Sequence, residues 1–215
     1  MQNLTLRASK AGLLLGNQDV LRKLDQIFIW QTLVASGMAN LAPINEVHSL
    51  RPLLRKVEEI GWRSGAQPFI IVVQNQNLTL ANRMERISFA GKAGVSAVDD
   101  SGHSDLPLGN YLAVDVDWGR WTLGLSRSAC LEKCAKEGLK VGADIEGIMA
   151  ITYWPGILDN HSIDLHGSLR GGLSPFLSLK NGRPWFDMHS HPDISHPAHG
   201  PLTVRERISL RDLGL

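Results

Sequence analysis

Cysteine is almost missing from this chain: 215 residues contain only Cys130 and Cys134. Two thiols cannot form the multi-bridge framework of a small secreted fold. The only apolar stretch near the start, Ala11 to Leu15, is interrupted by Gly12 and is too short for a signal-peptide core. Both features lead us to expect a cytoplasmic protein with reduced thiols. Charge of one sign is missing too. Lys and Arg number 22 against 21 Asp and Glu, a net charge of +1. No basic excess exists to drive phosphate binding, so no nucleic-acid partner is expected. Nor is there a long apolar run. The longest charge-free stretch, Gln26 to Asn45, contains Gln31, Thr32, Ser36, Asn40, Pro43 and Asn45. It reads as a buried amphipathic helix and a loop, not a membrane span. The nucleotide cradles G-x-G-x-x-G and G-x-x-x-x-G-K-[ST] do not occur, which speaks against a nucleotide cofactor, and there is no G-x-S-x-G elbow. The six tryptophans are scattered, as core or rim residues are, and do not form a stacking platform for bases.

The apolar share is 43%, enough for a packed core in a chain of this length. Helical spacing dominates the first third. Asn17 or Asp19 caps a face of Val20, Leu24, Ile27, Phe28 and Val34 that Gly37 can end. A second helix fits Glu46 to Ile60, with Pro52 as its weak point. Strand patterns follow at Pro68–Val73, Arg86–Phe89 and Tyr111–Asp117, with Trp121–Leu125 as hairpin partner of the last. Ala90 to Asn110 reads as a surface loop. Helices are expected from Ser126 or Ser128 to Gly138, which carries both cysteines on one face, and from Asp144 to Tyr153. Strands are expected at Ser162–Leu165, Pro175–Leu179 and Trp185–Met188, the last two joined by the turn Asn181-Gly182. Thr203 starts a last helix. The expected fold is therefore α+β: N-terminal helices over 1–65, then an α+β unit over 66–215, packed together as one body. That unit holds a mostly antiparallel sheet, two inserted helices and a C-terminal helix.

Histidine is what the sequence has in unusual concentration. Four of its eight histidines, His189, His191, His196 and His199, lie within eleven positions, behind Asp187 and around Asp193. On a strand, positions i and i+2 share a face, so His189 and His191 would lie about 6–7 Å apart and converge on one ion. Zinc takes imidazole nitrogen at ~2.0–2.1 Å, and a catalytic site needs three protein ligands and an open position. Asp187, His196 or His199 would supply the third ligand, and Pro192, Pro197 and Pro201 would stiffen the loop. The same composition also suits a polar connector with no ion. The acidic pairs Asp99/Asp100 and Asp115/Asp117 read mainly as solvated faces.

His189-Ser190-His191-Pro192 at a strand end resembles the H-S-H-P signature of the JAMM metalloproteases. The resemblance implies Zn²⁺ on both histidines, an acid in a following S-x-x-D as third ligand, and an upstream Glu that activates water. Here Thr203-Val204-Arg205-Glu206 stands in the S-x-x-D place, and Glu146 is the Glu at the upstream distance. Thr203-x-x-Glu206 is equally a capping box for the last helix. A second resemblance covers more chain. Tyr111–Asp117, Asp144-Ile145-Glu146-Gly147, Pro155–Asn160, Gly167–Arg170, Pro175–Leu179 and Gly182-Arg183-Pro184 succeed one another as in a bacterial domain-of-unknown-function family, over roughly 111–201. It implies a shared fold and assigns no activity.

Two functions follow as expectations. One is a metal-binding protein or zinc-dependent amide or isopeptide hydrolase, with His189, His191, Asp187, His196 and His199 as ligand set and Glu146 or Glu206 moving protons. The other is a non-catalytic module that binds a small molecule or a protein, using Trp118, Trp154 and the N-terminal helices, on which a partner or second copy would pack. A metal-free enzyme using the loop histidines as acid and base ranks below both.

Overall fold

The run Pro68-Phe69-Ile70-Ile71-Val72 has no polar side chain to turn outward, and β1 (Gln67–Val72) is buried from its second residue on. Its neighbour β5 (Tyr111–Val116) is buried at all six positions. The computed structural model describes residues 17–98, 106–191 and 193–214. The stretch Met1 to Leu15, the pair Asp99/Asp100, Pro192 and the side chain of Asn17 lie outside the described residues.

The architecture is α+β. Helix α1 (Asn17–Leu33) runs into one wider turn at Val34–Met38, so Gly37 lies inside that turn and does not end the helix. The region 46–60 divides into α2 (Ile44–His48), a short 3₁₀ turn that Pro52 enters in its first positions, and α3 (Leu54–Ile60). There the missing N–H of proline costs nothing. Helix α4 (Leu80–Glu85), which no pattern in the sequence announces, starts at Thr79, whose side chain accepts from Asn82 N. Small strands β2 (Ser88–Phe89), β3 (Lys92–Ala93) and β4 (Val95–Ser96) follow. Then come α5 (Arg127–Glu137), β6 (Lys140–Val141) and α6 (Asp144–Tyr153). The chain ends with β7 (Ser162–Asp164), β8 (Pro175–Lys180), β9 (Arg183–Met188), β10 (His199–Pro201), β11 (Thr203–Val204) and β12 (Glu206–Ile208).

While β11 pairs with β6 and β2 with β3 in two-stranded sheets, two larger sheets hold most of these strands. One has the order β1-β5-β12, all antiparallel. The other has the order β10-β7-β8-β9-β4, antiparallel in its centre and parallel at both edges. A single apolar core joins them with the N-terminal helices: Leu24 and Phe28, Leu53 and Val57, Ile70 and Val114, Ile148, Leu177 and Phe186 belong to one cluster. Residues 17–65 thus share their core with the sheets. Among the described residues no helix is long and apolar enough to cross a membrane.

Two sequence expectations give way to tertiary contacts. Trp121–Leu125 is not a hairpin strand; β5 is already paired on both edges, by β1 and β12. The C-terminal helix at Thr203 is absent. Thr203 and Asp117 exchange both backbone hydrogen bonds (2.8 and 3.0 Å), and Glu206–Ile208 pairs with β5. Thr203 and Glu206 therefore form no capping box.

Salt bridges hold that segment in place. Asp115 has no exposed side-chain surface and a φ of +56°, a left-handed conformation that Asp tolerates better than most residues. Its carboxylate accepts from Arg63 N (2.8 Å), Arg63 Nε (2.9 Å) and Arg205 Nε (2.9 Å). Glu146, equally buried, accepts from Arg207 Nε (2.7 Å) and Nη2 (2.9 Å), from Tyr111 OH (3.1 Å) and from Ala143 N (2.8 Å). Burial, reinforced by the Glu146 charge, pushes the Tyr111 hydroxyl well above its ordinary range. Asp115→Ala leaves two arginines facing an apolar hole and should cost about 3 kcal/mol in urea unfolding. Asp115→Asn keeps an acceptor and tolerates the left-handed backbone, so it should lose clearly less. Equal losses would show that the carboxylate pairing does not hold the segment.

Candidate metal centre

Three strand ends meet at one place. The turn Asn181-Gly182, with φ of +55° and +71°, closes the β8–β9 hairpin and sets its register from Lys180↔Arg183 to Pro175↔Met188. His189 follows directly, held by His189 N donating to Ser174 O (3.0 Å). Strand β7 pairs with the same hairpin, placing Asp164 opposite Phe176. Strand β10 lies parallel to β7 and brings in His199. It seats there because Gly119 and Gly200 let two backbones approach closely. A Cβ on Gly119 would stand 2.2 Å from Gly200 O, and Gly119 has a φ of +106°. Thr122 Oγ1 donates to Pro201 O (2.6 Å) and Leu202 N to Asp164 O (2.9 Å), fastening the strand on both sides.

Asp164 Oδ1 lies 2.8 Å from His189 Nε2 and 2.9 Å from His199 Nδ1. These three ligand atoms all lie within 4.8 Å of one another. The Asp164 side chain is 2% exposed, His189 5% and His199 16%, so solvent reaches the group from the His199 side. Phe176 forms the floor, stacked on His189 at 4.7 Å and tilted to His199 at 5.2 Å. Burial alone would push the Asp164 carboxyl up. The hydrogen bonds and charges of His189 and His199 outweigh it and hold the group down at about 2.

Beside the three sits His166, two residues after Asp164 and 3% exposed. Its Nδ1 is 3.0 Å from Ser174 Oγ, and its Nε2 is buried with no hydrogen-bond partner among the described residues. Burial drives its basicity down, to about 4, against a partly compensating pull from Asp164. A buried polar atom without a partner is uncommon and points to a missing water or ion.

The other residues singled out from the sequence stand elsewhere. Strand β9 ends at Met188, so the shared face assumed for His189 and His191 does not continue, and His191 is exposed. Asp187 is paired across β8 with Phe176, which separates it from Asp164 by two strand spacings, roughly 9–10 Å. It accepts instead from Trp185 Nε1 (3.1 Å) and Met188 N (2.8 Å). His196 is exposed, edge-on to His199 at 4.8 Å, and caps the turn by accepting from Ala198 N (3.1 Å). Asp193 ties the loop to the start of α5, accepting from Ser128 N and Oγ, both at 2.7 Å. Glu146 is engaged by Arg207, and Glu206 lies exposed on β12; neither is one of the three grouped residues. Asp115 is no solvated face, since Arg63 and Arg205 bury it. Trp118 is buried and lies tilted against Trp154 at 5.5 Å, while Trp30 reaches Trp154 at 5.2 Å. Of the expected ligand set the structure brings together His189 and His199, and it adds Asp164. The signal for Asp164 was Asp164-Leu165-His166 at the end of a short strand, two polar positions flanking a buried Leu.

Compared with protein-family models, curated proteins and solved structures, the chain matches none.

The His166 shift sets the acid response of chelator-treated protein. An unfolded His takes up a proton near 6.5, folded His166 only near 4. Between those values the unfolded state binds more protons, so stability falls as pH drops through the window, by about 3 kcal/mol in total. Asp164, depressed to about 2, adds a further loss below its unfolded value of 3.8. Urea midpoints from pH 7 to 4 should show the first loss, and His166→Gln should flatten it. An unchanged slope in that variant would assign the acid loss to other groups.

Proposed function

We propose that Asp164, His189 and His199 bind one divalent cation, zinc by their donor set, and that the site activates water for hydrolysis. The observation that supports this is one buried carboxylate oxygen facing two imidazole nitrogens, open to solvent on one side. Two imidazoles and a carboxylate are the ligand types of catalytic zinc sites that keep a fourth position free. Tetrahedral coordination at ~2.0–2.1 Å wants neighbouring ligand atoms roughly 3.3 Å apart. The present 2.8 and 2.9 Å spacings therefore need to widen by only about half an ångström. His166 Nε2, which has no hydrogen-bond partner among the described residues, supports the same reading as a second polar group near Asp164.

Zinc at such a site would lower the pKa of its water to about 7 and polarise a carbonyl. Asp164 contributes charge, and both imidazoles bind as neutral donors. Glu146, held by Arg207, does not serve as proton shuttle in this reading. His166, whose Nδ1 is engaged by Ser174, is a nearby group that would be available as a hydrogen-bond acceptor through Nε2.

Tag-free protein should carry about one metal ion per chain by elemental analysis, zinc predominating. His189→Ala, His199→Ala or Asp164→Asn should each lose about one equivalent, while His191→Ala leaves the content unchanged. Zn²⁺ in about hundredfold excess over its Kd should stabilise the wild type by ~2.7 kcal/mol, and the triad variants much less. Metal content that follows His191 in place of Asp164 would overturn the assignment, and iron in place of zinc would change the chemistry to that of a two-His, one-carboxylate iron site.

A second reading rests on α1. Ile29 and Leu33, one turn apart, are 44% and 56% exposed, beside Trp30 at 37%. This is the face on which a protein partner or a second copy would pack. Light scattering across a concentration series should show self-association that Leu33→Glu abolishes, and a monomer throughout would leave only a foreign partner for it.

A further inference from the structure

Helix α5 carries the only two thiols of the chain, and the metal centre uses neither. Cys130 and Cys134 are one helical turn apart, which puts them on one face. They are 0% and 2% exposed, and their sulfurs lie 3.9 Å apart. They do not belong to the main core. With Leu139 they form a small separate cluster, against which Trp121, Leu125 and Val141 pack. The opposite side of α5 is open to water, with Glu132 and Lys136 about 70% exposed.

The spacing matches a chelate. A tetrahedral ion bound at ~2.3 Å by two thiolates holds their sulfurs about 3.8 Å apart, and a larger ion a few tenths more. The thiols already stand at that separation, so neither backbone nor helix has to move. Charge favours the same outcome. Losing two protons creates two thiolates, a divalent ion neutralises both, and the buried site stays uncharged. Positive groups also surround the Cys134 end. Lys133 Nζ lies 3.7 Å from the centre of the Trp121 ring and the Arg63 guanidinium 5.2 Å from it. Both act on Cys134, whose thiol is held below its ordinary range, chiefly by its hydrogen bond with Cys130; the same bond and burial push the Cys130 thiol well up, so its proton leaves only as an ion binds. Access needs only local opening of α5, which is packed on a small satellite cluster.

We propose that Cys130 and Cys134 form a two-thiolate site for a soft divalent cation of the zinc and cadmium class, distinct from the Asp164 centre. Two S–H bonds break, two sulfur–metal bonds form, two protons go to solvent, and no electrons are exchanged. Neutral water fills the remaining positions, which keeps the site uncharged. Soft ions prefer thiolate over the imidazole and carboxylate donors of the other centre, so cadmium goes to the thiols first.

Cd²⁺ is the probe. Full-length, tag-free protein kept reduced with a phosphine is titrated with Cd²⁺ while the ultraviolet thiolate-to-cadmium charge-transfer band is followed. Imidazole and carboxylate ligands give no such band. We expect the band to saturate at about one Cd²⁺ per chain, with both thiols then protected from alkylation. Cys130→Ser and Cys134→Ser should each abolish it, and Asp164→Asn should keep it. No band in folded wild type, or a band that survives Cys134→Ser, overturns the proposal. Loss of the band in Asp164→Asn also overturns it, because the thiols would then belong to the histidine centre. Should a serine variant not fold, X-ray absorption of cadmium-loaded wild type decides: two sulfur neighbours support the site, and a shell of nitrogen and oxygen only sinks it.

Discussion

The structure depends on how strand β5 tolerates charge. It is buried along its whole length yet carries Asp115, and Glu146 of α6 reaches it through Tyr111. A buried carboxylate is stable only with close cationic partners and saturated hydrogen bonds. Those partners come from far along the chain: Arg63 before β1, and Arg205 and Arg207 at its end. Side-chain exposures of 18%, 33% and 9% show that the arginines cover the acids at the boundary of the core. Pairing of this kind adds little net stability compared with an apolar core, but it makes misplacing the segment expensive. It is one reason why residues 203–208 are strands and not a helix.

That constraint reaches the candidate centre through the backbone. With β12 on β5 and Thr203 bridged to Asp117, β10 is laid beside β7 with little freedom of register. Its first residue, His199, then stands against Asp164. His189 arrives independently, through the β8–β9 hairpin. The two imidazoles come from separate elements, and a carboxylate from a third lies between them. Groups held on three strand ends keep their geometry better than groups on one loop, as a metal site requires.

Much of this was legible in the residues. The helix of the cysteines, with Ser126 as N-cap and Gly138 as left-handed C-cap, follows from local chemistry alone. So does the hairpin at Asn181-Gly182, where both residues accept positive φ. The C-terminal helix did not follow, because Thr203-x-x-Glu206 looks the same whether it caps a helix or lies in a ladder. The concentration of histidine pointed to the stretch that holds His189 and His199, but the i and i+2 spacing pairs His189 with His191, which the structure leaves apart and exposed. Spacing i and i+2 is meaningful only while the strand lasts, and β9 ends one residue before His189. Asp164 stood 25 residues away from His189 and 35 from His199, beyond any local pattern.

By itself, then, the sequence determined composition-level properties and those elements whose ends carry their own caps and turns: a near-neutral α+β chain with its histidines gathered near one hairpin. Those properties are additive over neighbouring residues, so a linear reading suffices. Only the tertiary structure decided which histidines meet, that Asp164 meets them, and that Glu146 belongs to an arginine. Such choices turn on which buried charges find a partner across the chain. That is settled when the strands pair, because no carboxylate can remain in the core alone.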